Sequence, residues 1–153
     1  MFRSIVLLCS LFFLALTPYL TQAATEEQKA KIKQHFEEVG AQCIGDNPIT
    51  EADINDLRSK KIPTGDGVPC FLACMMKKIG VLDDAGMLQK ETILDHARTV
   101  FQDEEEIKII GDYLHSCSSV NSEPVSDGAK GCERAMLALK CMHTNAPKFG
   151  IDV

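Results

Sequence analysis

Six of the seven cysteines lie between Cys43 and Cys141, spaced Cys43-x26-Cys70-x3-Cys74-x42-Cys117-x14-Cys132-x8-Cys141. Six cysteines allow 15 pairings. Cys132 and Cys141 fall on one helix, nine residues apart, which is about 13.5 Å along its axis and beyond disulfide reach. Cys70 and Cys74 lie one turn apart with parallel side chains and are equally poor partners. Excluding both pairs leaves ten pairings. Nine steps of about 100° put Cys132 and Cys141 on opposite sides of their helix, which suits a central helix tied to a different neighbour on each side. Cys70 and Cys74 share a face, so their helix is expected to be tied to two other segments. Bridges closing loops this long contribute roughly 3–5 kcal/mol each.

The seventh cysteine, Cys9, sits in a stretch of another kind. Residues 1–23 carry one charge, Arg3, then the apolar run Ile5 to Leu16, Pro18, and the small-residue end Thr21-Gln22-Ala23. This is the pattern of a secretory signal peptide, expected to be cleaved near Ala23. Twelve apolar residues reach about 18 Å as a helix, too short for a membrane core of about 30 Å. The mature chain is then 24–153, with six cysteines, 15 basic residues against 22 acidic ones, and a net charge of −7. An acidic secreted domain without a basic cluster speaks against nucleic acid and against insertion at anionic membranes. Secretion also favours disulfides over the rival use of the Cys-x3-Cys pair with His115 and His143 as a zinc site. No metal and no cofactor are expected.

The periodicity between the cysteines is helical, with no alternating strand pattern of useful length. Glu26 to Cys43 places Ile32, Phe36, Val39 and Cys43 on one stripe. Thr50 and Asp53 form a capping box for a short helix to about Lys60, with Ile49 and Ile54 placed as a staple and Ile54 and Leu57 facing inward. Pro69 opens a third helix, Cys70 to Ile79, closed by Gly80. A fourth spans about Lys90 to Val100. Asp103 caps a fifth, with Glu104, Glu105 and Glu106 in its first turn, running to about Ser118. The sixth, about Ala129 to Asn145, is apolar nearly all round, the mark of a buried helix, and Pro147 ends it. The expected fold is all-α: a compact six-helix domain stapled by three disulfides, with a C-terminal tail, 146–153.

These cysteine gaps, on a secreted, acidic, all-helical chain, resemble the insect odorant-binding proteins of the six-cysteine type, the pheromone- and general-odorant-binding group. The x3 and x8 gaps are that family's fixed spacings. Val68-Pro69-Cys70-Phe71, Gly80 and Leu82-Asp83-Asp84-Ala85-Gly86 agree as well. The closer-spaced four-cysteine chemosensory proteins do not fit. The resemblance implies interlocked bridges Cys43–Cys74, Cys70–Cys132 and Cys117–Cys141. It also implies an internal apolar cavity for a small hydrophobic volatile, an odorant or pheromone.

Position by position, the resemblance places ligand contacts at Phe36, Met75, Ile79, Ile93, Leu94, Ala97, Ile110, Tyr113, Leu114, Met136 and Leu137. Phe149 and Ile151 on the tail complete the set by covering the pocket, and Tyr113 is the candidate polar contact. A bare tail carrying Phe149, Ile151 and Val153 is apolar without reason unless it covers something. His96 and His143 are candidates for release on acidification, which relatives show.

The expected function is a secreted extracellular carrier, in sensillum lymph, that delivers its ligand to a membrane odorant receptor as a monomer or weak homodimer. Two other readings are a non-olfactory carrier in haemolymph, saliva or reproductive fluid, and a helical protein–protein ligand. Catalysis is not expected: there is no Cys-Cys-x-x-His run, no Gly-x-Ser-x-Gly elbow, and no constellation among the four histidines.

Overall fold

The computed structural model describes residues 26–151. The expected leader, 1–23, and Val153 of the tail lie outside the described residues. The chain divides into two units, 1–37 and 38–153. In the first, residues 26–37 are helical and carry exposed one-turn ion pairs, Lys29 to Glu26 at 3.1 Å and Lys31 to Glu27 at 2.7 Å. Exposed pairs of this kind support a helix only weakly. Phe36 is 43% exposed there.

Six helices account for the described fold: α1 (26–44), α2 (Glu51–Arg58), α3 (Val68–Lys78), α4 (Lys90–Val100), α5 (Glu104–His115) and α6 (Cys132–Asn145). Among the described residues there is no strand, only an isolated antiparallel bridge between Leu82 and Leu88. α3 and α6 share the most extensive packing, and α4 pairs with α5.

The α3–α6 pair is the core. Val68, Leu72, Ala73 and Met76 of α3 meet Ala135 and Ala138 of α6, and Leu82, Leu88, Cys117 and Val120 close the cluster. Alanine at 135 and 138, one turn apart and both fully buried, removes the bulk that would hold the helix axes apart. At the Cys70–Cys132 bridge the two Cα atoms are 4.3 Å apart. The other face of α3 presents Phe71, which packs with Val39 and Cys43. A third cluster, Leu94, Ile107 and Leu114, fills the α4–α5 contact.

The three bridges are Cys43–Cys74, Cys70–Cys132 and Cys117–Cys141, the pairs the resemblance implies. They occupy all six cysteines of the region, so none is left as a thiolate ligand for zinc.

Caps set several helix ends. Thr50 Oγ1 accepts from the Asp53 N–H at 3.1 Å, and Asp53 Oδ2 accepts from the Thr50 N–H at 3.1 Å, completing the capping box. Asp103 accepts from the Glu105 N–H. Three boundaries differ from the sequence expectation. α3 begins at Val68, so Pro69 lies inside the first turn, where its missing N–H leaves no bond unmade. α5 stops at His115 and is followed by a tighter 3₁₀ turn, Ser118–Ser122.

α6 starts at Cys132, because Gly131 takes a left-handed φ of +74° that separates it from the short 3₁₀ turn Gly128–Lys130. Asp127 Oδ2 then accepts from the Cys132 and Glu133 N–H groups at 2.7 and 3.2 Å. Nor is α6 apolar all round. Arg134 is buried, and its guanidinium donates to the carbonyl of Val120 and, at 3.4 Å, to that of Glu123. It holds the 118–123 turn against the helix.

Candidate functional site

Where α2 ends, the chain makes a wall. The Lys60 N–H bonds the Leu57 carbonyl at 3.1 Å and the Lys61 N–H bonds the Asp56 carbonyl at 2.8 Å, a Schellman termination. Lys60 therefore adopts a φ of +60°, the conformation in which glycine is usual. Three attachments hold the segment that follows. His143 Nε2 of α6 donates to the Lys60 carbonyl at 3.0 Å, since a carbonyl can only accept. Pro63 is fully buried. The Gly65 N–H donates to Asp53 Oδ1 at 3.0 Å, and a Cβ on Gly65 would lie 2.4 Å from the same carboxylate, so no larger residue fits this approach. Together these hydrogen bonds, those from Thr50 foremost, hold the Asp53 carboxyl below its ordinary value of 3.8.

This wall faces α5 and α6 across a partly open cavity of about 190 Å³, lined by Leu57, Lys60, Lys61, Ile62, Tyr113, Leu139, Met142 and His143. The lining is overwhelmingly hydrocarbon, and Lys60 and Lys61 line it while remaining exposed residues. An apolar cavity of about 150 Å³ can hold a benzene ring, so this volume accommodates a single ring or a short aliphatic chain. Tyr113 is buried, and burial pushes its phenol up to about 12, so its hydroxyl keeps its proton and is a donor. Behind it, the Ser116 hydroxyl donates to the Tyr113 carbonyl at 2.6 Å and accepts from Asn145 Nδ2 at 3.0 Å, which fastens the end of α5 to the end of α6. The Cys117–Cys141 bridge fastens the same two helices covalently.

Of the residues expected to contact ligand, Tyr113 lines this cavity, and Phe149 packs on Tyr113. Ile93, Leu94, Ile110 and Leu114 gather in the α4–α5 cluster, and Ala97 is buried on α4. Met75 and Ile79 pack against Val39, Cys43 and Phe71, while Met136 and Leu137 pack against the α3–α6 core. Ile151 is half-exposed, its N–H bonded to the Ala146 carbonyl at 3.0 Å. His143 is in the cavity wall; His96 is on exposed α4 surface close to Gly80.

Sequence reasoning passed over Lys60, Lys61 and Ile62, since Lys60 reads as the approximate end of the second helix and Pro63 with Thr64-Gly65-Asp66-Gly67 as its break. Nothing in their residue types announces a cavity wall. Leu139 and Met142 stood in the apolar run of α6, but the run alone does not say which face is left open.

The fold and its bridges define an all-helical, three-disulfide domain with an apolar cavity, the class of the six-cysteine odorant-binding proteins. The sequence profile of the PBP/GOBP family matches residues 25–145, and the chain belongs to that family. It is similar to general odorant-binding protein 28a of Drosophila melanogaster, 28% identical over 129 residues, covering 84% of this chain and 85% of the relative. General odorant-binding protein 19d of the same species is 21% identical over 122 residues, covering 79% and 78%. Among solved structures, odorant-binding protein dmelOBP28a of D. melanogaster superposes with a TM-score of 0.64 at 27% identity, over 82% of this chain and 99% of that one. Apis mellifera odorant binding protein 5 shares the fold, with a TM-score of 0.60 at 16% identity over 78% and 92% of the two chains. The family is one of odorant-binding proteins, not of enzymes. Among the described residues no helix is long and apolar enough to cross a membrane.

Proposed function

We propose that this chain is a secreted carrier that takes up a small hydrophobic volatile, an odorant or pheromone, and delivers it to a chemosensory receptor. The observation that carries the reading is the hydrocarbon-walled cavity between the end of α2, α5 and α6, with the buried Tyr113 in its wall. Transferring an apolar molecule from water into such a space is favourable in proportion to the area removed from water, about 25 cal/mol per Å². Family membership and the similarity to named odorant-binding proteins support the same reading.

Met142 connects the cavity to the residues expected to bind ligand. Its side chain lines the cavity and also packs against the Leu94, Ile107 and Leu114 cluster, which Ile93 and Ile110 flank. A methionine is the most adaptable of apolar walls. In this reading a ligand larger than the cavity displaces Met142 and reaches Ile93, Leu94, Ile110 and Leu114. The tail covers the site from the Phe149 side. Acid release would act through His143: both its neutral Nε2–H form and its charged form donate to the Lys60 carbonyl, so charging alters the wall's polarity rather than breaking that bond.

The test is a fluorescence titration of the bridged protein with N-phenyl-1-naphthylamine, followed by displacement with a panel of volatiles. Saturable micromolar binding with selective displacement is expected. Absence of saturable binding by the correctly bridged protein would remove the carrier reading. Repeating the titration from pH 7.5 to 5 tests the histidines, and a flat affinity would exclude the switch.

A further inference from the structure

The charged side chains that line the cavity are all of one sign. Among the described residues that line it, Lys60 and Lys61 are cations, and there is no Asp or Glu. This occurs in a chain whose 22 acidic residues outnumber its 16 basic ones. Lys60 takes part in another interaction, but Lys61 forms no ion pair with a described residue. The Schellman turn fixes the Lys61 backbone, and Lys61 both lines the cavity and is exposed to solvent. Tyr113 contributes a hydroxyl that stays protonated.

Resting on the carrier reading, we propose that the ligand is a small amphiphile with a carboxylate head: its hydrocarbon chain lies against Leu57, Ile62, Leu139 and Met142, and its head meets the Lys61 ammonium and the Tyr113 hydroxyl. A carboxylate buried among hydrocarbon without a partner is strongly disfavoured. Beside the exposed Lys61 it keeps part of its water and gains a cation and a neutral donor, and charge-assisted hydrogen bonds are the stronger kind. A neutral alcohol of the same chain length gains the hydrocarbon contact but not the cation.

Octanoate and octan-1-ol are the matched pair that separates these contributions. With N-phenyl-1-naphthylamine bound to the full secreted protein at pH 7.5 and low salt, octanoate should displace it at about three- to tenfold lower concentration than octan-1-ol. The preference should vanish in Lys61→Gln, turn to favour the alcohol in Lys61→Glu, and shrink with added salt, as an exposed ion pair is screened. Equal displacement by the two in the wild type, or a preference that survives both substitutions, overturns the carboxylate head. If octan-1-ol still displaces the probe in that case, the carrier reading stands. A wild-type protein that binds neither the probe nor, by titration calorimetry, octanoate or octan-1-ol overturns both.

Discussion

The ring of Phe149 meets the ring of Tyr113 edge-on, with centroids 5.8 Å apart and planes inclined at 62°. Tyr113 is a wall of the cavity, and Phe149 belongs to the 3₁₀ turn Ala146–Phe149 that follows α6, so the start of the tail packs on a cavity residue. Edge-to-face pairs contribute about 0.5–1.5 kcal/mol beyond the area they bury. Truncation after Pro147, or Phe149→Ala, should therefore weaken probe binding about two- to tenfold with little loss of helix content. Titration with the fluorescent probe, alongside far-UV circular dichroism, checks this. Unchanged affinity in both variants would detach the tail from the site.

Met142 is predicted to set the size of ligand admitted. Met142→Ala should merge the cavity with the space beside Leu94 and Leu114, at a cost of about 2 kcal/mol, the low end for truncating a methionine that is only half-buried. Long-chain and two-ring ligands should then gain affinity relative to one-ring ligands. A displacement series graded by size reads the effect. If the ranking by size stays as in the wild type, Met142 is not the partition.

The fold was legible in the sequence because its determinants are local or covalent. The Thr50–Asp53 box and the Asp103 cap announce helix starts within four residues, and the x3 and x8 gaps constrain which cysteines can pair. The resemblance supplied the pairing itself. The cavity was not legible, because it depends on what packing leaves unfilled. Met75, Ile79, Met136 and Leu137 carry the same apolar signal as Leu139 and Met142, yet of these six the latter two are the ones that line this cavity. Lys60, at positive φ without being glycine, and Arg134, buried by bonding to turn carbonyls, follow no rule of residue type. Lys60 owes its conformation to the Schellman turn that ends α2, and Arg134 its burial to carbonyls of a separate turn earlier in the chain.

The three bridges should differ in what they protect. Removing any one by paired Cys→Ser substitution should cost about 3–5 kcal/mol. Cys117–Cys141 ties α5 to α6, the helices that supply Tyr113, Leu139, Met142 and His143, whereas Cys43–Cys74 ties α1 to α3, neither of which lines the cavity. Well below the melting temperature, Cys117→Ser/Cys141→Ser should lose probe affinity, and Cys43→Ser/Cys74→Ser should lose far less. Thermal melts and titrations on both variants decide it; equal losses would mean that stability, not cavity geometry, governs binding.

Asp53 should make stability depend on pH. Bonds from the Thr50 hydroxyl, the Thr50 N–H and the Gly65 N–H favour its charged form and hold its carboxyl below 3.8. A group depressed in the folded state stabilises it fully above the unfolded value of about 3.9, and that stabilisation is lost as the pH falls through the folded value. Asp53→Asn, which cannot carry the charge, should melt below the wild type at pH 7. The gap should narrow steadily from pH 4 to pH 2.5. Because Asp53 also anchors Gly65 beyond the wall of Lys61 and Ile62, the same substitution should weaken probe binding at neutral pH. Melting temperatures of the two proteins at half-unit steps of pH measure the effect. A gap that stays constant down to pH 2.5 would show that these hydrogen bonds do not distinguish the charged carboxylate from its neutral amide counterpart.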